Sequence, residues 1–416
     1  MQTRKDPHSF YILFSLVLFL VVLRADSLSA AVGRRQALFG ILASAGATIV
    51  TSGLPVSALE NQSQPQPQNE TSINSNTMMK AVLQSGFGQP TQVLSISSQV
   101  PKPKLHDPNH ILVKVHATCV NTPDWAGTLG LPYLLRPIMG GGGFFQPGKY
   151  SKVFKKDGQP RIIGSDVAGV VEEVGVNVQH VKPGDEVFGS SGDDILGAFA
   201  EYVIVPSDRL IKKPKEMSMA QAAGSVMSGL TAQVVVDAAK IQPGMNVLIN
   251  GASGGVGTFC VGMAKALGAK VTDVCSGKNA DMVKSLGADE VIDYTKEDFS
   301  VTKEGTYDAI IDNVMLEPFK KTSKALKPDG FIVPNGIGAR RNKWWGAVPF
   351  FFVKPSNYPT AVCETNQERL TRLSDDIVAG KFKVQIDKIY SLDEAPSAVE
   401  HMASNRARGQ VVIQVI

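Results

Sequence analysis

A glycine-rich segment in the second half of the chain has the residue types and spacing of a phosphate-binding turn. The apolar stretch Asn246–Asn250 runs directly into GASGGVG at residues 251–257, and an apolar helical pattern follows. Three of these positions match the dinucleotide motif G-x-G-x-x-G, with Ala in place of the first Gly. In such a turn, backbone amides at a helix N-terminus hold the pyrophosphate. The predicted contacts are Ala252, Ser253, Gly254, Gly255, Val256 and Gly257.

The end of the next strand indicates which dinucleotide this turn would hold. That strand, Lys270–Val274, is followed by Cys275-Ser276-Gly277-Lys278-Asn279. Ser276 and Lys278 suit the extra phosphate of NADPH, which a carboxylate would repel. Asp273 keeps NAD open as the alternative, because an acid at the strand end would bind the ribose hydroxyls. The residues therefore favour NADPH.

Composition and charge exclude several classes of protein. With 43% hydrophobic and 19% charged residues, the chain is folded rather than disordered. The net charge of +4 lies mostly in residues 1–58, which carry five Arg or Lys against two Asp, so the rest carries +1. This distribution argues against a nucleic-acid partner. Four cysteines without paired spacing predict free thiols rather than a zinc site or disulfides.

The first 58 residues have the pattern of a two-part targeting leader. The apolar run at residues 10–23 is too short to span a bilayer and follows Arg4 and Lys5. Arg34-Arg35 then precede a second uncharged stretch that ends near Ala58, as in a twin-arginine signal. Together these signals resemble the targeting of plastid proteins, including those of the thylakoid lumen, and we therefore expect a plastid protein. Secretion and membrane anchoring are the alternatives. Residues 59–78 predict a flexible linker, and we expect no stable membrane span in the mature chain.

The elements that must position the turn change character along the chain. From Met79 to about residue 207, short alternating runs broken by Gly and Pro predict a compact, mostly β domain. Beyond that point helical and strand patterns alternate, which predicts βαβ units and a parallel sheet. The fold class predicted is α/β. The predicted helices and strands of this second part are 220–239, 246–250, 256–267, 270–274, 280–286, 309–312, 318–326 and 330–334.

Residues 79–416 resemble the medium-chain dehydrogenase/reductase superfamily, in its zinc-independent quinone oxidoreductase and enone reductase branch. Among the segments that carry the resemblance are GSDVAGVVEEVG (164–175), KPGDEVFG (182–189), NGASGGVGTFCVGMAKALGAKVT (250–272) and SLGADEVIDYTKEDF (285–299). The resemblance implies a GroES-like β domain, formed by residues 79–207 and 356–416. It also implies a Rossmann domain with a doubly wound parallel sheet over 208–355.

The same resemblance indicates which reaction to expect. Where zinc alcohol dehydrogenases have a Cys and a His-Glu pair, this chain has Asn121 and Ser165-Asp166, so no metal is expected. Without a Lewis acid, conjugate hydride addition is easier than alcohol oxidation, since the charge spreads over an enolate. We therefore expect NADPH-dependent reduction of α,β-unsaturated carbonyl compounds. Quinone reduction, enoyl-thioester reduction and NADPH binding without turnover stay open as alternatives.

The resemblance also implies roles for single residues. Asn121 would stabilise an oxyanion or, alternatively, cap a turn, and Tyr133 would donate a proton or only line the cleft. Tyr294 would cover the adenosine. The positions implied to line the nicotinamide are Thr231, Asn313, Asn335 and Gly336. Family members often pair through the edge of the Rossmann sheet, which makes a homodimer an expectation for this chain.

Overall fold

The computed structural model describes residues 77–130, 160–192, 195–314, 319–335 and 364–416. The predicted leader, all but the last two residues of the predicted linker, Tyr133 and Gly336 lie outside these ranges. Among the described residues, no helix has the length and apolar character needed to cross a membrane.

The first part of the chain forms two antiparallel-rich sheets. A small sheet has the strand order β2-β1-β4, and a larger one has the order β14-β15-β3-β5-β6-β8, with β7 paired to β3. In the larger sheet only β14 and β15 run parallel to each other, and these two strands come from the C-terminal part of the chain. The strands are β1 Met78–Gln84, β2 Leu94–Pro101, β3 His110–Val120, β4 Arg161–Ile162, β5 Asp166–Val174, β6 Glu186–Ser190, β7 Tyr202–Pro206, β8 Leu210–Lys212, β14 Ile386–Ser391 and β15 Gln410–Gln414.

The second part forms a five-stranded parallel sheet in the order β11-β10-β9-β12-β13. The chain moves outward from β9 to β11, then crosses to the other side of β9 for β12 and β13. Ligands of such doubly wound sheets bind at the carboxyl ends of the strands where the order reverses, here between β9 and β12. The strands are β9 Asn246–Asn250, β10 Lys270–Cys275, β11 Glu290–Asp293, β12 Tyr307–Asp312 and β13 Leu326–Pro334.

The helices cover both sheet systems. Two short helices lie in the β-rich part, five accompany the parallel sheet, and two lie near the C-terminus, within the described residues. They are α1 Pro90–Val93, α2 Thr122–Leu129, α3 Met219–Ala238, α4 Gly255–Ala266, α5 Ala280–Ser285, α6 Phe299–Thr302, α7 Phe319–Thr322, α8 Gln367–Val378 and α9 Ala395–Ala403.

Helix α3 joins the two parts into one packed body. A capping box begins it: Gln221 N donates to Ser218 Oγ at 3.2 Å, and Ser218 N donates to Gln221 Oε1 at 3.0 Å. The helix packs on β3 and β5 on one side and on α4 on the other. One apolar cluster accordingly runs from Phe188 in the larger β-sheet to Ile249 in the parallel sheet. The two sheet systems therefore share a core.

The structure confirms the predicted α/β architecture and the predicted parallel sheet. The elements predicted from 220 to 334 are present, with ends shifted by a few residues and α7 shorter than expected. Strand β1 begins at Met78, inside the predicted linker, and β8 extends the larger β-sheet to Lys212, five residues past the predicted boundary at 207. The described cysteines, Cys119, Cys260 and Cys275, are free and buried, and Cys363 lies outside the described residues.

Candidate functional site

The glycine-rich turn has the close approach that a dinucleotide turn requires. Gly251 leaves β9 with a φ of 78°, a left-handed conformation that favours glycine. A Cβ on Gly257 would lie 2.2 Å from the carbonyl oxygen of Gly251. Only glycine at position 257 allows α4 to pack this closely on the strand end.

The first turn of α4 presents backbone amides to an anion. Gly254 is the N-cap residue, and no side chain caps this helix end. The amides of Gly255, Val256 and Gly257 have no acceptor within the helix, because they belong to its first turn. Together with the helix dipole they form a site that fits a pyrophosphate. Ala252 is fully buried beneath the turn, and Ser253 is partly exposed.

Four polar side chains line the carboxyl edge of the parallel sheet at its reversal point. Asn335 Nδ2 donates to Asn313 Oδ1 at 2.7 Å, so two residues predicted to line the nicotinamide meet across β12 and β13. Beside them, Asn250 Nδ2 donates to Asp312 Oδ1 at 2.9 Å. The sequence analysis did not identify this second pair, although both residues end a predicted strand. Thr231 lies partly buried on α3.

Asp273 is not at the end of its strand, so the ribose-binding alternative is wrong. Its side chain is fully buried in the middle of β10, paired in register with Ile249 and Val291. Neither carboxyl oxygen has a hydrogen-bond partner among the described residues. Burial, reinforced by the charge of Asp289, raises its pKa well above the ordinary value. A parallel sheet covered on both faces explains why this strand residue is buried rather than solvated.

The turn after β10 is braced by a carboxylate from β11. Ser276 and Lys278 lie on this turn, where Ser276 is partly exposed and Lys278 is exposed. A Cβ on Gly277 would lie 2.5 Å from Asp293 Oδ2. Hydrogen bonds from Thr295 and from the Gly277 amide lower the pKa of Asp293. Asp293 thus stays ionised beside the turn, a role that the sequence analysis missed. Tyr294, the next residue, is 63% exposed.

Asn121 and Asp166, at two of the positions compared with zinc ligands, form a hydrogen-bonded pair. Asn121 Nδ2 donates to Asp166 Oδ2 at 2.8 Å, and the same oxygen accepts the Met227 amide at 3.0 Å. The other Asn121 amide hydrogen has a longer bond, 3.3 Å, to the Cys119 carbonyl. Both side chains are buried. β3, β5 and α3 therefore converge on this pair.

Asn121 is also the N-cap residue of helix α2, which the sequence analysis did not predict. Its backbone amide donates to Asp124 Oδ2 at 2.7 Å, and Asp124 N donates to the Asn121 carbonyl at 3.1 Å. Asp124 therefore orients the helix start. The backbone of Asn121 thus takes part in capping α2, which is one of the two roles predicted for this residue. Oxyanion binding by its side chain stays a prediction.

This donor set does not fit catalytic zinc. A zinc site needs thiolate, imidazole or carboxylate ligands, and the amide nitrogen of Asn121 is a hydrogen-bond donor. Ser165 contributes a hydroxyl, which leaves Asp166 as the single carboxylate, and Asp166 binds Asn121 and Met227. No group of three His, Cys, Asp or Glu side chains suited to a metal occurs in the described ranges.

Comparisons with known proteins agree with this geometry. The profile described as "Alcohol dehydrogenase GroES-like domain" matches residues 107–215, and that described as "Zinc-binding dehydrogenase" matches 286–413. The mouse mitochondrial NAD(P)H oxidoreductase RTN4IP1 is 31% identical over 381 residues, covering 82% of this chain and 90% of its own. A chloroplastic quinone-oxidoreductase of Triphysaria versicolor is 30% identical, covering 81% and 98%. The 2-methylene-furan-3-one reductase of Solanum lycopersicum is 30% identical, covering 87% and 86%.

Solved structures give the same result. The quinone oxidoreductase of Coxiella burnetii has a TM-score of 0.68 at 31% identity, covering 82% of this chain and all of its own. That of Escherichia coli, solved with NADPH, has a TM-score of 0.63 at 25% identity, covering 81% and 100%. The chain belongs to the medium-chain dehydrogenase/reductase superfamily, in its quinone oxidoreductase branch. Its two parts are the GroES-like domain and the Rossmann-type parallel sheet predicted above, and the protein is an oxidoreductase.

Removing the Asp166 carboxylate is expected to destabilise the fold. Asp166→Ala removes the acceptor of the Asn121 Nδ2 bond and of the Met227 N–H bond, and a buried polar group that loses its partner costs about 1–3 kcal/mol. We expect urea denaturation to show a free energy of unfolding lower by about 2 kcal/mol or more. The matched control is Asp237→Ala, which breaks an exposed ion pair with Arg372 and should cost under about 1 kcal/mol. Equal losses in both variants would contradict this assignment.

The buried Asp273 carboxyl should make stability fall with rising pH. Because burial raises its pKa in the native state, the unfolded chain ionises it first, above about pH 4. Wild-type stability then declines as pH rises from 4 toward the raised value, by up to about 1.4 kcal/mol per pH unit. Asp273→Asn removes this titration. The free energy of unfolding of the variant relative to wild type, measured by urea denaturation, should increase as the pH rises above about 4. A constant difference would refute the assignment.

Proposed function

We propose that the protein is an NADPH-dependent reductase of the carbon–carbon double bond in α,β-unsaturated carbonyl compounds. In this proposal the turn at residues 251–257 holds the pyrophosphate, and Ser276, Lys278 and Tyr294 contact the adenosine phosphate end. Thr231, Asn313, Asn335 and Gly336 line the nicotinamide. NADPH would supply the hydride, and the chain's own side chains would bind and orient the two reactants.

The turn carries the cofactor part of this proposal. Position 257 has no room for a Cβ, and the first-turn amides of α4 point toward a site that suits an anion. The exposed Lys278 ammonium suits the additional phosphate that distinguishes NADPH from NADH. The NADPH complex of the Escherichia coli relative supports the same choice.

The single observation that carries the reaction class is the bonded pair Asn121–Asp166. Where a metal would polarise a carbonyl, this chain offers an amide that Asp166 fixes in place. Its 3.3 Å bond to the Cys119 carbonyl is the weaker of two, so that hydrogen is the one that a substrate oxygen would take over. One neutral donor suits a delocalised enolate better than a localised alkoxide. Conjugate reduction therefore fits this donor better than ketone reduction.

The proton that completes the reduction would come from Tyr133 or from water. Tyr133 follows α2, the helix that Asn121 begins, by only four residues. Its role stays a prediction, because it lies outside the described residues.

Quinone reduction is the second candidate. The names of the Triphysaria versicolor and Coxiella burnetii relatives favour it. The chemistry is related, since a quinone that accepts hydride also spreads the resulting charge over a conjugated system. The same Asn121 donor would serve both acceptors.

We further propose that the protein acts in a plastid. The two-part leader pattern supports this location, as do the chloroplast relatives from Triphysaria versicolor and Arabidopsis thaliana. Import of a fluorescent fusion of residues 1–78 into plastids would test it, and retention of that fusion in the secretory pathway would refute it.

A spectrophotometric assay tests the reaction. The purified protein is offered NADPH or NADH with enals, long-chain enones, enoyl thioesters, quinones and a simple ketone, and absorbance is followed at about 340 nm, where reduced nicotinamides absorb. We expect NADPH oxidation with enals or enones, little with the ketone, and a strongly reduced kcat in Asn121→Ala. Turnover with quinones alone would select the second candidate. NADPH binding without oxidation by any acceptor would overturn both.

Lys278 should determine the preference for NADPH. Lys278→Ala removes the charge that pairs with the extra phosphate, so the Kd for NADPH should rise about tenfold while that for NADH stays nearly constant. Fluorescence titration measures both constants. Lys284→Ala is the matched control, since it removes an exposed lysine from α5 nearby. Equal losses for both cofactors in Lys278→Ala would show that this turn does not recognise the phosphate.

A further inference from the structure

One buried amide links the cofactor turn to the strand that carries Asn121. Gln410 begins β15 and is fully buried. Its Nε2 donates to the Gly255 carbonyl at 2.9 Å, at the first residue of α4. Its Oε1 lies 3.8 Å from the sulfur of Cys119, two residues before Asn121 on β3, while the nearer acceptor for the thiol is the Val411 carbonyl at 3.4 Å. A single side chain therefore contacts both halves of the candidate site.

Close contacts with neighbouring residues restrict the conformation of the Gln410 side chain. A Cβ on Gly224 of α3 would lie 3.4 Å from Gln410 Cβ and Cγ, and one on Gly255 would lie 3.1 Å from Gln410 Oε1. The backbone adds a parallel bridge between Gly254 and Gly409. The backbone N–H of Gln410 donates to the backbone carbonyl of Gln385 at 2.8 Å, which fixes the start of β15.

Packing alone does not explain why position 410 has an amide side chain. The three residues that follow in β15, Val411, Val412 and Ile413, are all apolar and fully buried. A buried amide is tolerated only when it is hydrogen-bonded, and here its donor bond goes to the cofactor turn.

We propose that Gln410 is a positioning residue that sets the offset between the cofactor turn and the Asn121 strand. This inference rests on the reductase function proposed above. Hydride transfer depends steeply on the distance between donor and acceptor carbons, and a displacement of about 1 Å can lower a rate about a hundredfold. Gln410 therefore affects the chemical step, with little effect on how tightly NADPH binds.

The test replaces Gln410 while keeping the length of its side chain. Gln410→Met removes the donor to the Gly255 carbonyl. Gln410→Glu places a carboxyl oxygen against the same carbonyl. With two variants, the proposal can still be tested if one of them fails to fold. We expect kcat to fall about tenfold or more in each, with the NADPH Kd within about threefold of wild type. The primary isotope effect on kcat with 4-deuterated NADPH should increase, because hydride transfer becomes rate-limiting.

Thr258→Val is the matched control. Thr258 Oγ1 donates to the same Gly255 carbonyl at 2.9 Å but belongs to α4 itself, so its loss leaves the link to β3 intact. We expect this variant to keep the wild-type kcat and isotope effect. Wild-type kcat in either Gln410 variant, or an equal fall in Thr258→Val, would overturn the proposal. If none of the acceptors offered leads the wild-type protein to oxidise NADPH, the reductase function is overturned first, and the positioning role with it.

Discussion

The contact between the start of α4 and the end of β9 is the constraint on which the site depends. The absence of a side chain at Gly257 lets the helix pack against the Gly251 carbonyl, and this approach brings the first-turn amides over the carboxyl edge of the sheet. The Asn250–Asp312 and Asn313–Asn335 pairs then order that edge. A larger residue at position 257 would displace the amides and the edge together.

The second half of the site depends on how the β-rich part is attached. Helix α3 and the apolar cluster running through it make the two sheet systems share one core. On the β side of this core, the positions compared with metal ligands hold an amide and a carboxylate that satisfy each other. The exchange turns a site for a Lewis acid into a fixed hydrogen-bond donor without changing the strands that present it. Differences in chemistry within this superfamily can thus arise from two or three side chains on a constant frame.

Local patterns predicted the elements around the glycine turn, because strand, turn and helix signals there are consecutive in sequence. They could not predict the role of Asp273, since a strand covered on both faces has no alternation that marks a buried polar residue. Helix α2 was missed, and Asn121 was given only a turn-capping alternative, although Pro123 lies in the first turn of the helix, where Pro is common. Gln410 and Gly255 are 155 residues apart, and only the folded chain brings them together. Tertiary packing, which no local pattern encodes, accounts for the places of Asp273 and Gln410, whereas the start of α2 does carry a local signal.

The burial of the three described thiols lowers their reactivity toward electrophiles. Loss of contact with water raises the pKa of Cys119 and Cys260 well above the ordinary value and that of Cys275 to about 11. Thiolates, not thiols, attack electrophiles, so these sulfurs are poor nucleophiles at neutral pH. The enals, enones and quinones proposed as substrates alkylate thiolates. Under the proposed function, burial therefore protects these three positions from alkylation by the compounds that the protein would reduce.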